Sequence, residues 1–178
     1  MEIDFIRKII KCIEEASHNH DSDYFCVSRD IFQARLDSFI VHTNKYFESA
    51  VIGEIGNNTF DHNWDFAEDE MRGTYFNSEY DGYVVLADFG KGIKNSLSRV
   101  RLLDSDLDAV KMAFTERVSG RAPEQRGNGL KFVCDSVKDK NWELYFQSGD
   151  GCCIIKDGDV RFETVNFSFA GCLAVLKF

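Results

Sequence analysis

The stretch Val51-Ile52-Gly53-Glu54-Ile55-Gly56-Asn57-Asn58-Thr59-Phe60-Asp61-His62-Asn63 decides how this chain is read. As a helix it sets Glu54, Asn58 and His62 four residues apart on one face. Val51, Ile52 and Ile55 supply an apolar side. A carboxylate, an amide and an imidazole in line make a poor core and a good wall for a polar cavity. The carboxylate orients a water or takes a proton. The amide oxygen is a hard ligand that suits Mg²⁺. A solvated polar stripe is the plainer alternative, and the rest of the chain decides between the two.

Working outward towards the N-terminus, the helix is expected over about 45–62. Before it, Phe32, Leu36, Phe39 and Ile40 mark another helix, with Ser28 or Asp30 as its cap. Tyr24–Val27 reads as a short strand. Ser17–Asp23 is a polar break in which His18 and His20 read as solvated loop residues. Ile3, Ile6, Ile10 and Ile13 recur at helical spacing over residues 3–17. Residues 1–44 are therefore expected to form an N-terminal helical extension packed on a domain over 45–178.

Towards the C-terminus, Trp64–Glu70 is acidic and aromatic and reads as loop or short helix. Thr74–Phe76 and Gly82–Ala87 read as strands, the second a buried one. Ile93, Leu97, Val100 and Arg101 suggest a helix. Ser105 with Asp108 forms a capping box for the next one. Residues 115–126 hold the chain's one proline and read as a mobile loop. A helix through Phe132, Val133 and Val137 follows Gly127-Asn128-Gly129-Leu130. Four strands are expected after it, over 142–147, 152–156, 160–165 and 167–178. Ser148–Gly151 and Lys156–Asp159 are read as the turns of hairpins. The expected class is an α/β sandwich with a mixed, mostly antiparallel sheet and helices on one face.

Composition narrows the function. The chain has 178 residues, 44% of them hydrophobic and sixteen of them Phe. That suits one domain with a substantial core. The net charge of −9 disfavours nucleic acid, whose binding needs clustered Lys and Arg. No apolar run approaches a membrane span, and no signal peptide is evident. The six cysteines lack metal spacing, and a cytoplasmic protein with reduced thiols is the expectation.

Two further segments bear chemistry. Asp88-x-Gly90-x-Gly92 closes the buried strand before Ile93. A buried aspartate needs donors, and the exocyclic amine of a purine is one. The glycines let the backbone approach a flat or charged ligand. Gly127-x-Gly129-Leu130 opens a helix whose amides suit phosphate, flanked by the cations Arg126 and Lys131. Ordinary glycine turns are the plain alternative for each. Neither a Walker A loop nor a dinucleotide fingerprint is present.

Taken in order, the Glu-x-x-x-Asn helix, the Asp-x-Gly-x-Gly strand end, the Gly-x-Gly-Leu helix start and Gly171 in the last strand resemble the GHKL ATPase/kinase superfamily. The resemblance covers residues 45–178. It implies the Bergerat fold, with Mg-ATP held between sheet and helices under a lid at 94–126. By that resemblance Glu54 is the catalytic residue that orients or deprotonates a nucleophile, and Asn58 is the Mg²⁺ ligand. Asp88 takes the adenine amine, with Gly90, Gly92 and Ile93 shaping its pocket. Arg126, Gly127, Gly129, Leu130 and Lys131 line the phosphate side, and Arg117 and Arg121 are further lid cations. Asp61 resembles the ATPase branch, whereas His62 resembles the kinase and anti-sigma branches. Both are expected at the nucleotide.

The last box departs from the usual Gly-Thr, reading Gly171-Cys172. His42 lacks the acidic residue that ordinarily follows a phosphoacceptor histidine. Three functions follow: a protein kinase or nucleotide-gated regulator acting on a protein partner or phosphoacceptor, a slow ATP hydrolase, or a non-enzymatic ATP-binding module. A homodimer is compatible with each.

Overall fold

The structure is a computed structural model that describes residues 1–18, 23–62, 73–98, 101–116 and 129–178, apart from the side chains of His18 and His62. Trp64–Glu70, Val100, positions 117–126 of the expected loop and Gly127-Asn128 lie outside those residues.

Five strands form one sheet in the order β1-β2-β3-β5-β4: β1 Phe25–Cys26, β2 Thr74–Tyr80, β3 Tyr83–Asp88, β4 Glu143–Lys156 and β5 Asp159–Lys177. Every pairing is antiparallel, where a mixed sheet was expected. Two hairpins, β2–β3 and β4–β5, are set side by side, and the chain crosses from β3 to the outer strand β4 through the helices between 92 and 139 before β5 returns between them. β2 and β3 turn at Asp81-Gly82, and β4 and β5 at Asp157-Gly158. Both residues of each turn have positive φ (50° and 80°; 52° and 77°), the geometry that Asp-Gly favours in two-residue hairpins.

Period-2 alternation divides the sheet into two faces. On the first, Phe76, Val84, Leu86, Leu144, Phe146, Ala174 and Leu176 meet the helices. These are α2 Arg29–Thr43, α3 Tyr46–His62, α5 Asp106–Thr115 and α6 Gly129–Asp139, with the short α4 Gly92–Leu97 beside them. Ser28 caps α2 by accepting from the Ile31 N–H, and Ser105 caps α5 by accepting from the Asp108 N–H, as the sequence suggested.

The second face is covered by α1 Ile3–His18, so helices lie on both faces rather than one. Its buried stripe is Ile6, Ile9 and Ile13, while Ile3 is exposed and Ile10 half-buried. Those three meet Tyr75, Val85, Ala87, Tyr145 and Val175 in one core. Each buried isoleucine contributes roughly 1.5–3 kcal/mol. Arg7 fastens the helix to β5 by donating to Asn166 Oδ1 at 3.1 Å and stacking over Phe167 at 5.1 Å. Residues 1–44 thus supply a helix to one core, a helix to the other and an edge strand to the sheet.

The C-terminal half differs most from expectation. The four strands expected there are two long ones, and Ser148–Gly151 is not a turn. It is an irregularity inside β4, where Gly149 pairs with Phe169 and Gly151 with Thr164. The buried Gln147 side chain bridges the gap, donating to Gly149 O at 2.9 Å and Phe167 O at 3.1 Å. The glycines serve packing here. A Cβ on Gly149 would stand 1.9 Å from Asp106 Oδ2, and one on Gly151 would stand 2.5 Å from the Asp106 backbone. The start of α5 lies against β4 at a distance that only glycine permits.

Candidate active site

On the helix-covered face, three strands end their apolar run in polar groups. The period-2 pattern brings Asp88, Cys172 and Ser148 to that face one beside the next. Asp88 of β3 is in register with Cys172 of β5, which is in register with Ser148 of β4. Above this row stands α3. A hollow between them is lined by Ile55, Asn58 and Thr59 of α3, Asp88, Gly92 and Ile93, and Cys172 with Ala174. Its volume is about 30 Å³, room for roughly two waters.

Asp88 is 8% exposed and accepts from donors of its own chain. Gly90 N–H donates to Oδ1 at 2.8 Å, and the Thr59 hydroxyl donates to Oδ2 at 3.4 Å. The Cys172 thiol lies beside Asp88. Burial pushes that thiol well up, the Asp88 charge pushes the same way, a bond from Ser148 opposes them, and the hydrogen bond to Asp88 adds a smaller push upward. The thiol thus stays protonated beside the carboxylate. The serine hydroxyl accepts from Ile93 N–H at 2.9 Å and donates to Gly171 O at 2.9 Å. It ties the start of α4 to the last strand. Gly171 has φ +94°, and a Cβ there would meet Asp88 O at 2.0 Å. Only glycine lets β5 pass that close to the acid.

Glu54, exposed, lies one helical turn before Asn58 on α3. It meets the first residue of α6, since a Cβ on Gly129 would stand 2.6 Å from Glu54 Oε2. The two motifs are 75 residues apart in sequence and meet at a helix N-terminus. Among the described residues no group of three or more His, Cys, Asp and Glu is arranged to hold a metal.

The residues singled out from the sequence divide as follows. Asn58, Asp88, Gly92 and Ile93 line one hollow, Gly90 donates to its acid, and Glu54 and Gly129 meet each other but do not line it. Asp61 does not line it. Arg29 of α2 engages the Asp61 carboxylate in an ion pair, because Asp61 sits on the flank of α3 that faces α2. Leu130 is a core residue, 8% exposed. Lys131 pairs with Asp135 one turn along α6 at 3.2 Å, on the exposed side of the helix. Arg117, Arg121, Arg126 and Gly127 lie outside the described residues, as does the His62 side chain.

Thr59 and Ser148 were missed as site residues. Thr59 carried one signal: it follows Asn58 on a helix already assigned to a cavity wall. Ser148 carried one too, as the next position in the Leu144, Phe146, Ser148 alternation.

No protein-family model matches this chain, and no curated protein matches it by sequence. Among the described residues, no helix is long and apolar enough to cross a membrane.

Proposed function

We propose that the protein binds Mg-ATP in the hollow between α3 and the β3–β5–β4 row. In this reading it is a GHKL-type domain with the Bergerat arrangement. It acts on a partner protein as a kinase or as a nucleotide-gated regulator. One observation carries the reading: Asn58 and Asp88, drawn from motifs thirty residues apart, line the same hollow.

The residues fit the metal end of the ligand. Mg²⁺ is commonly held by one or two protein oxygens, with phosphates and water completing its octahedron. Asn58 borders the hollow and has one amide oxygen to offer, which is such a protein oxygen. When bound, Mg²⁺ neutralises charge on the phosphates. Asn58 would hold the ion, and the start of α6 would present backbone amides to an anion. Glu54 would orient a hydroxyl or a water and receive its proton.

The purine end fits in chemistry and is tight in volume. Asp88 offers an acceptor where an exocyclic amine needs one. A hollow of about 30 Å³ must widen to admit the ring. In this proposal the Gly90–Ile93 segment yields, releasing the Ile93 N–H from Ser148.

Hydrolysis is the second reading. Asp61 was its support in the sequence, and Arg29 engages that carboxylate, so kinase or switch activity is preferred. Incubation with γ-labelled ATP separates the readings. Label on a protein marks a kinase, labelled free phosphate marks a hydrolase, and binding with neither marks a switch.

A further inference from the structure

The first-face core ends in a cluster of rings that the fold leaves open, at the end of the sheet away from Asp88. Phe47 in the first turn of α3 meets Phe132 of α6 at 6.2 Å and Trp142, just before β4, at 5.8 Å. Trp142 in turn meets Phe178 at 4.7 Å. Phe47 is 42% exposed and Phe132 37%, and Tyr46, next in sequence, is 68% exposed. Contiguous exposed rings mark a contact surface, whereas single scattered ones do not. Aromatic side chains are also the usual anchors of protein interfaces.

Two cations sit on the cluster. Lys140 Nζ lies 5.2 Å from the centre of the Phe47 ring, and Lys45 Nζ lies 5.7 Å from that of Phe178. Neither lysine enters an ion pair among the described residues, although Glu48 and Asp139 are close to them in sequence. The surface thus suits a partner that brings both rings and carboxylates. The chain has a segment of that composition: Trp64-Asp65-Phe66-Ala67-Glu68-Asp69-Glu70 sets two aromatic residues among four carboxylates.

That segment cannot reach the cluster of its own molecule. His62 lies fifteen residues beyond Phe47 on α3, about 22 Å along the axis. Trp64 and Phe66 follow His62 by two and four residues, so a fully extended chain carries them back by at most about 7 and 14 Å. The segment then rejoins the sheet at Thr74, beside Tyr75, which pairs with Ala87 at the Asp88 end.

We propose that the Phe47–Phe132–Trp142 cluster receives the Trp64–Glu70 segment of a second copy. The rings of the segment lie against Phe47 and Phe132, and its carboxylates meet Lys45 and Lys140. The contact joins opposite ends of two copies. It is separate from the Asn58–Asp88 hollow and stands whether or not that hollow takes a nucleotide.

Sedimentation velocity of the full chain at up to about 200 µM tests this. Wild type is expected to associate, less so as salt is added. The double variant Lys45→Glu with Lys140→Glu, and the double variant Trp64→Ser with Phe66→Ser, should each associate at least about tenfold more weakly. Mixed together, the two variants should form a one-to-one complex, because one keeps the segment and the other keeps the cluster. Should the Trp64/Phe66 variant not fold, the free heptapeptide of residues 64–70 should dissociate wild type and leave the lysine variant unaffected. A wild type that stays monomeric, association that survives the lysine substitutions, or a mixture of folded variants that does not associate overturns the proposal.

Discussion

Thr59 on α3 donates its hydroxyl to Asp88 at the end of β3 across 3.4 Å, and both residues are buried. This bond joins the helix that carries Glu54 and Asn58 to the strand that carries the acid. Thr59→Val keeps the shape and removes the donor. We expect it to cost about 1–3 kcal/mol in urea denaturation, the penalty for a buried group that loses a partner. Thr59→Ser should retain most of the stability. Loss in Thr59→Ser with none in Thr59→Val would show that the methyl group, and not the hydroxyl, matters.

Gly171 is the backbone crossing beside Asp88. With φ +94° and only 2.0 Å between a new Cβ and Asp88 O, Gly171→Ala should cost about 3 kcal/mol or more. Gly158 is the internal comparison. Its φ is +77° and a Cβ there meets nothing within 4 Å, so Gly158→Ala should cost about 1–2 kcal/mol. Chemical denaturation of both variants checks the difference.

Gly129→Ala separates a site effect from a folding effect. The new methyl would press on Glu54 Oε2, the free end of a flexible and exposed side chain. Glu54 swings aside at little cost, so stability should stay within about 0.5 kcal/mol. Under the nucleotide reading, phosphate transfer or release falls at least tenfold, because a displaced base loses its positioning. Unchanged turnover with Glu54→Gln also active would remove Glu54 from the chemistry.

These relationships show what the sequence could and could not convey. The helix carrying Glu54 and Asn58, the strand ending at Asp88 and the helix starting at Gly129 were legible, because periodicity and glycine punctuation are local. The pairing of Asp88 with Cys172 and Ser148 was not, because register depends on strands some sixty to eighty residues apart. Ser148–Gly151 looked like a turn because glycine marks turns and close approaches alike. The place of α1 on the second face was equally hidden: its isoleucine stripe says that it buries a face, not which one. The ion pair of Asp61 was hidden too, because Arg29, its partner, comes from a different helix.

The thiols give a pH prediction with a definite sign. Burial raises Cys152 from 9.0 to about 11 and Tyr75 from 10.0 to about 12. As pH rises past 9, the unfolded chain releases these protons first. Their contribution to stability is therefore full below about pH 9 and is lost between there and about 12. The denaturation midpoint should fall over that window. Cys172 should also alkylate far more slowly at pH 8 in the folded protein than after unfolding, although it is only half-buried, because its thiol is held protonated beside Asp88.

Calorimetric titration of ATP, with and without Mg²⁺, into the wild-type protein, Asp88→Asn and Asn58→Ala tests the central claim most directly. We expect one saturable site in the wild type that discriminates ATP from GTP. Asp88→Asn should lose the nucleotide altogether, and Asn58→Ala should lose the Mg²⁺ dependence. No heat from any nucleotide, or wild-type affinity in both variants, would contradict the account.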